Sequence, residues 1–280
     1  MFVRLAENGI SPVKNLKRFK EEARMPVNPQ LLGRFVWHDL MTTDLPTAVK
    51  FYRSLFPEWS LHAIPTGGPV AYHSIRANGL DCGGICPISA DGGIPSHWLC
   101  YVAVDDCAAA VRRTESAGGR CLVPMMSVPG VGKFAVVADP QGSILKPFEI
   151  EKNIALPTTP RSGQFAWDEV LAPDVGELRR FYESVFGWSS IETPIENTGI
   201  YSLFKVGQDN VAGGLSMPSN SDHPAYWLPY LYADDLDQRS KSAASLGAAV
   251  CVPPQDIPGI GRFAVHTDPT GGNFALFRLA

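Results

Sequence analysis

The distribution of apolar and polar residues predicts short strands interrupted by amphipathic helices. Residues 34–41 are predicted to form a strand, and so are residues 98–104, which form a short run that is apolar throughout. Each run is followed by an aspartate that can cap a helix N-terminus, Asp44 in the first case and Asp105 or Asp106 in the second. The first of these helices has apolar residues three and four apart, at Ala48, Phe51, Tyr52, Leu55 and Phe56.

This pattern occurs twice along the chain as an internal repeat. A shift of 129 residues matches residues 128–142 to 257–271 at nine of fifteen positions. We therefore predict four modules, each with one strand, one helix and three further strands, at about residues 33–92, 94–150, 163–220 and 224–280. The predicted domain organisation is an N-terminal extension (1–30), a first domain (31–152), a linker (153–162) and a second domain (163–280).

Composition narrows the class of protein. The 280 residues are 45% hydrophobic and 19% charged, enough apolar material for two cores. The net charge of −4 gives no reason to expect a nucleic-acid partner, and no apolar run has the ~18 residues of a membrane span. Five of the six cysteines lie in the first half, so reduced thiols and a cytoplasmic location are expected. A targeting role for residues 1–30 stays open.

Four sequence segments, in this order, resemble the vicinal oxygen chelate superfamily of glyoxalase I, bleomycin-resistance proteins and extradiol dioxygenases. They are FVWHDLMTTDLPTAVKFYRSLF, ADPQGSILKPFEI, FAWDEVLAPDVGELRRFYESVF and TDPTGGNFALFRL. The resemblance implies an α+β fold in which four βαβββ modules form two cup-shaped mixed sheets, each enclosing a ligand. In that superfamily a divalent metal usually lies at the bottom of the cup.

The resemblance also implies where the metal ligands would stand. The corresponding positions are Trp37, Leu99 and Lys146 in the first half, and Trp167, Leu228 and Ala275 in the second. None of these side chains binds a divalent cation in the family's manner, so no metal cofactor is expected, although a nonstandard metal stays open. The chain is similar to tandem glyoxalase-like proteins whose first strand reads aromatic-Trp-x-acid.

Two other groups are weaker metal candidates. His38 follows Trp37, but strand alternation directs it to the opposite face, towards a helix or solvent, and we expect a packed or surface histidine. The spacing Cys82-x-x-x-Cys86 only loosely resembles a metal knuckle, and small buried thiols on a turn are the simpler interpretation.

Asp39 and Glu169 are the candidate catalytic residues, since alternation points both into the cups beside Trp37 and Trp167. Each could act as a general base or bind a polar ligand; alternatively each pairs with a cation such as Arg34 or Lys146, or lies at the rim. Lys146 could bind an anionic ligand, pair with Asp39, or reach solvent from an edge strand. The candidate ligand-binding walls, which could equally be ordinary core, are Trp37, Leu99, Tyr101, Lys146, Phe148, Trp167, Leu228, Tyr230 and Phe277.

Three functions follow as hypotheses. The first is a protein that binds a small organic molecule in a cup without the family's usual metal, as sequestration of a toxic compound would require. The second is a glyoxalase-like lyase or isomerase that uses Asp39, Glu169 or a nonstandard metal; extradiol dioxygenase activity is not expected. The third is an interaction protein with filled cups. Either a monomer or a homodimer is compatible with two paired halves.

Overall fold

A computed structural model describes residues 28–65, 71–151, 154–195, 199–218, 221 and 223–280. The predicted extension therefore lies outside the described residues except at residues 28–30, where Asn28 caps a 3-10 turn at Pro29–Leu31. The elements of the first half are β1 (Phe35–Thr42), α1 (Leu45–Leu55), β2 (Trp59–Ile64), β3 (Tyr72–Ala77), β4 (Leu80–Pro87), β5 (His97–Ala103), α2 (Cys107–Ser116), β6 (Arg120–Val128), β7 (Gly132–Ala138) and β8 (Ile144–Ile150).

The second half repeats this order after residue 164. Its elements are β9 (Phe165–Ala172), α3 (Val175–Phe186), β10 (Ser189–Ile195), β11 (Gly199–Val206), β12 (Asp209–Ser216), β13 (Tyr226–Tyr232), α4 (Leu236–Ser245), β14 (Ala249–Ile257), β15 (Gly261–Thr267) and β16 (Asn273–Leu279). The four predicted βαβββ modules are confirmed.

Each half forms one eight-stranded mixed sheet. The strand order is β2-β3-β4-β1-β5-β8-β7-β6 in the first sheet and β10-β11-β12-β9-β13-β16-β15-β14 in the second. The first strand of each half is parallel to one neighbour and antiparallel to the other. The predicted α+β class with two mixed sheets is confirmed. We call the sheet face that carries Trp37 the first cup and the face that carries Trp167 the second cup.

Each of the four α-helices in the described part of the chain begins at an aspartate. The Asp44, Asp106, Asp174 and Asp235 side chains each accept a hydrogen bond from the backbone N–H three residues later, at 2.9–3.1 Å. These bonds satisfy backbone donors that the first helical turn leaves free. Capping by Asp44 and by Asp106 is therefore confirmed, as the sequence predicts. None of the helices in the described ranges is long and apolar enough to cross a membrane.

The two halves share their hydrophobic cores. Phe51 and Tyr52 of α1 pack against Phe274 of β16, and the Tyr52 hydroxyl donates to Asp268 at 2.8 Å. Helix α3 packs in the same manner against the first half, where the Tyr182 hydroxyl donates to the Asp139 carboxylate at 2.6 Å. A helix of each half therefore completes the core of the other half.

Reciprocal contacts relate the halves by a pseudo-twofold axis. The Trp59 indole donates to the Gly163 carbonyl at 2.6 Å, and the Trp188 indole donates to the Gly33 carbonyl at 2.7 Å. The two tryptophans are 129 residues apart, which is the shift of the sequence repeat, and the two glycines are 130 residues apart. The internal repeat is thus also a symmetry of the packing, with equivalent strands β1 and β9 near the axis.

Candidate functional site

A buried carboxylate lies at the floor of the first cup. Asp39 on β1 is only 4% exposed, and Trp37, two residues earlier, lies on the same face of the strand. Asp39 Oδ1 accepts hydrogen bonds from Trp37 Nε1 at 3.0 Å and from the Tyr72 hydroxyl at 2.9 Å. Asp39 Oδ2 accepts one from the Tyr101 hydroxyl at 2.5 Å. Burial and the neighbouring Asp39 charge raise the pKa of both tyrosines well above its usual value, so both remain neutral donors.

Lys146 on β8 supplies a cation beside this carboxylate. Its Nζ lies 3.6 Å from Asp39 Oδ2 and donates to the Tyr101 hydroxyl at 2.7 Å. The ammonium also lies 4.5 Å from the ring centroid of Tyr101 and 5.3 Å from that of Phe134. Lys146 is 5% exposed, and β8 lies between β5 and β7 inside the sheet. The edge-strand interpretation of Lys146 is therefore wrong, because its strand is not at an edge; pairing with Asp39 is confirmed.

A glycine beside each acid makes room for a tyrosine. Gly84 on β4 is the register partner of Asp39, and a Cβ at Gly84 would overlap the Tyr72 side chain. In the second half, Gly213 pairs with Glu169, and a Cβ there would overlap Tyr201. The absence of a side chain on β4 and β12 thus lets a phenol from the next strand cross over and reach the carboxylate.

The second cup repeats the acid and its donors but replaces the cation. Glu169 Oε2 accepts from the Tyr201 hydroxyl at 2.7 Å and Oε1 from the Tyr230 hydroxyl at 3.0 Å, while Trp167 Nε1 donates to Tyr201 at 3.1 Å. Tyr230 pairs with Ala275 where Tyr101 pairs with Lys146. Burial raises the pKa of Glu169, although its two tyrosine partners oppose the shift.

The other predicted wall residues lie around these two acids. Leu99 and Leu228 are the register partners of Asp39 and Glu169 and are buried. Phe148 packs against Tyr101 with ring centroids 5.5 Å apart, and Phe277 packs against Tyr230 at 6.3 Å. The sequence prediction missed three further residues of the cups, Tyr72, Tyr201 and Phe134. The sequence signal for the two tyrosines is the pair of adjacent glycines on the neighbouring strand, at 83–84 and 213–214.

His38 faces away from the first cup, as alternation predicts, and it is buried, with 4% of its surface exposed. Its Nε2 lies 2.9 Å and 3.1 Å from the two carboxylate oxygens of Asp168 in the second half. Its ring stacks on Phe165 with centroids 3.8 Å apart. The packed histidine that the sequence predicts is confirmed, but its partners lie in the second half of the chain, because alternation assigns a face of a strand and does not reveal what covers that face.

Cys100 on β5 is the register partner of His38 and completes a group of three potential metal ligands. We call His38, Cys100 and Asp168 the interface cluster; its ligand atoms all lie within 4.8 Å of one another. All three residues are at most 4% exposed. Burial, and to a smaller extent the hydrogen-bonded Asp168, raises the pKa of the Cys100 thiol well above its usual value.

The cysteine pair singled out by sequence lies elsewhere. Cys82 and Cys86 are on strand β4 and are half-buried, so the prediction that they lie on a turn is wrong. The two glycines between them belong to the strand, where a glycine is needed for close packing rather than for chain reversal. Burial raises the pKa of the Cys82 thiol to about 12.

A cavity of about 330 Å³ opens between the two halves. Strands β1 and β4 of the first half and β9 and β12 of the second contribute to its walls, together with residues 155–158 and 160, which lie between β8 and β9. His38 and Asp168 line it, together with Phe35, Phe165 and Cys82. The cavity therefore reaches two members of the interface cluster, and Trp167 of the second cup also lines it.

Two βαβββ modules joined in one curled mixed sheet, repeated in tandem, define a vicinal oxygen chelate protein. The chain is 34% identical over 248 residues to "Putative glyoxylase CFP32" of Mycobacterium tuberculosis, in an alignment covering 87% of this chain and 94% of that protein. The chain belongs to this glyoxylase-like family of tandem vicinal oxygen chelate proteins. It is also 26% identical over 260 residues to "Anthracycline biosynthesis protein DnrV" of Streptomyces peucetius, covering 88% of this chain and 94% of that one.

Solved structures share the fold at low sequence identity. The 2,3-dioxygenase LapB from Pseudomonas sp. KL28 superposes with a TM-score of 0.60 at 11% identity, covering 88% of this chain and 92% of that one. A Mn(II)-bound glyoxalase from Novosphingobium aromaticivorans gives a TM-score of 0.60 at 12% identity, covering 88% and 82%. Identities this low establish the fold alone. No protein-family model matches the chain.

Proposed function

We propose that the first cup binds a small, flat organic molecule without the divalent metal that the fold family uses at the floor of its cups. The observation that carries this proposal is the buried Asp39–Lys146 pair, surrounded by aromatic side chains. The positions that the family resemblance assigns to metal ligands carry an indole, an isobutyl group and an ammonium, and the ammonium repels a cation. These residues do not fit a metal, so no step of the proposed function uses one in the cup.

The energetics of the pair support a role in recognition. Burying two charges costs solvation free energy, and the attraction between the charges only partly offsets this cost. A protein with an apolar pair of similar volume at such a position is often at least as stable. The second cup keeps its acid and tyrosines with Ala275 in place of the lysine. Because Lys146 is not required to hold this arrangement together, we infer that its charge serves a bound molecule with acidic hydroxyl or carbonyl oxygens.

The aromatic surroundings favour a flat ligand. The rings of Trp37, Tyr101, Phe134 and Phe148 belong to one cluster, and the Lys146 ammonium lies over two of them, those of Tyr101 and Phe134. Aromatic rings of this kind stack on planar molecules. The name of the relative DnrV refers to anthracycline biosynthesis, and anthracyclines are planar molecules with phenol and quinone oxygens. The shared chemistry suggests a planar phenol or quinone as the class of ligand.

Doxorubicin, a fluorescent anthracycline, tests the proposal directly. We expect a saturable change in its fluorescence on titration with the protein. Trp37→Leu and Lys146→Met should each weaken binding at least about fivefold, the loss of about 1 kcal/mol of contact free energy. Trp167→Leu, the matched change in the second cup, should leave the affinity unchanged. Absence of binding, or equal losses in the Trp37 and Trp167 variants, would contradict the proposal.

A glyoxalase-like isomerase or lyase is the second candidate, and Glu169 is the observation that favours it. A carboxyl whose pKa is raised by burial holds its proton more tightly and is a stronger base when ionised. The test is turnover of the hemithioacetal of methylglyoxal and glutathione, measured with a chelator present. Glu169→Gln should abolish a turnover that depends on this base, and Asp39→Asn tests the first cup in the same way. Full activity in both variants would exclude both carboxylates as bases.

A further inference from the structure

The interface cluster has the donors of a transition-metal site, away from both cups. His38 offers an imidazole nitrogen, Cys100 a thiolate sulfur and Asp168 a carboxylate oxygen, and all three side chains are buried. One nitrogen, one sulfur and one oxygen form a borderline-soft set, which suits Zn²⁺ better than the oxygen-seeking Mg²⁺ or Ca²⁺.

The three ligand atoms are close to the spacing that zinc requires. With metal–ligand bonds of about 2.0–2.3 Å, tetrahedral geometry separates neighbouring ligand atoms by about 3.3–3.6 Å. His38 Nε2 and Asp168 Oδ1 are now 2.9 Å apart, as in a hydrogen bond, and would separate slightly. The Cys100 sulfur lies within 4.8 Å of both and would move inward by about 1.5 Å at most, the difference between that limit and the tetrahedral spacing.

The backbone holds the three residues together independently of any ion. His38 and Cys100 are register partners on adjacent strands, and Asp168 is the pseudo-symmetric equivalent of His38 on β9. The stacking of His38 on Phe165 fixes the plane of the imidazole. A site built on three rigid strands needs only side-chain adjustment to accept a metal.

We propose that His38, Cys100 and Asp168 bind one Zn²⁺ ion between the two halves, with the fourth coordination position open to the interface cavity. The cavity of about 330 Å³ is lined by His38 and Asp168, so it supplies both an entry path and space for a fourth ligand. Three protein ligands with one open position are the arrangement of zinc sites that bind a water or a small molecule. This goes beyond the function proposed for the first cup, whose residues do not take part.

Cobalt substitution is the experiment that tests the site. The full-length protein is freed of metal with a chelator and titrated with Co²⁺, which reports a sulfur ligand by a thiolate-to-cobalt charge-transfer band. We expect this band with one ion per chain, and its displacement by Zn²⁺. Cys100→Ser should remove the band, and Asp168→Asn should weaken metal affinity at least about tenfold, the smallest loss typical even of groups behind the ligands. Cys82→Ser, which alters another thiol of the same cavity, should change neither property.

Each alternative outcome is decisive. A protein that shows no charge-transfer band and retains no zinc in native mass spectrometry would overturn the proposal, as would a band that survives Cys100→Ser or disappears in Cys82→Ser. Circular dichroism establishes whether the variants fold. Should Cys100→Ser fail to fold, X-ray absorption at the zinc edge of the unaltered protein replaces it: one sulfur neighbour at about 2.3 Å supports the site, and none overturns it.

Discussion

Asp39→Asn should destabilise the protein more than Lys146→Met, although each removes one partner of the same ion pair. Asp39 and Lys146 are 4% and 5% exposed, so either change leaves its partner in a dry environment. After Asp39→Asn, the ammonium retains the Tyr101 hydroxyl and two ring faces but no opposite charge. Loss of one partner from a buried pair costs about 3–5 kcal/mol of unfolding free energy, and we expect this range.

Lys146→Met leaves behind a charged group that keeps more hydrogen bonds than the ammonium does after Asp39→Asn. The Asp39 carboxylate keeps three donors, from Trp37, Tyr72 and Tyr101, and hydrogen bonds to a charged acceptor contribute about 1.5–3 kcal/mol each. We therefore expect a loss of only about 1–2 kcal/mol, below the usual range for a broken buried pair. The second cup, where Glu169 faces tyrosines and Ala275, already has this arrangement.

The double variant completes the cycle. Asp39→Asn with Lys146→Met removes both charges, so its destabilisation should fall short of the sum of the single changes by at least about 2 kcal/mol. Urea unfolding at pH 7, followed by tryptophan fluorescence and circular dichroism, measures all four proteins. Glu169→Gln is the matched control, since it neutralises a buried acid with no lysine at the equivalent position. Additive single changes, or a larger loss for Lys146→Met than for Asp39→Asn, would refute the reasoning.

Two further predictions concern the glycine beside Asp39 and a buried histidine of the second half. Gly84→Ala should destabilise the protein by about 2–4 kcal/mol, because the new methyl group overlaps Tyr72 and breaks its bond to the buried acid; Gly92→Ala, in open space, should change the thermal midpoint little, and equal shifts would contradict the close-packing argument. Burial lowers the pKa of His266 from 6.5 to about 4, so the unfolded chain binds more protons than the native one between these values. Stability should therefore fall as pH decreases from 6.5 to about 4, and His266→Gln should flatten this part of the urea-midpoint profile; an unchanged slope would exclude His266 as its cause.

The sequence predicts the fold well because the repeat and the helix signals are local or periodic. Asp44 and its counterparts each cap a helix by accepting a hydrogen bond from the backbone N–H three residues later. This contact is local in sequence and can be predicted without tertiary information. Strand alternation also places Trp37 and Asp39 on one face. These two properties are sufficient for the four modules and for the position of both buried acids.

The donors around each acid depend on long-range register, which the sequence pattern does not contain. Tyr72 reaches Asp39 across strand β4, and only the parallel pairing of β4 with β1 brings them together. The same holds on the opposite face of β1, because alternation predicts the face on which His38 lies but not its contact with Asp168. Both partners lie far along the chain, where propensity and period give no information.

Because the two halves belong to one chain, equivalent positions beside the pseudo-twofold axis can carry different residues, which a symmetric homodimer does not allow. At the axis of a symmetric homodimer a residue meets its own copy, so this position would join two histidines or two aspartates. Two aspartates in such contact would repel each other. Covalent fusion frees the two copies to differ, and here the histidine of one half meets the aspartate of the other. The same freedom lets one cup carry a lysine and the other an alanine, so the two cups of one chain differ in charge at equivalent positions.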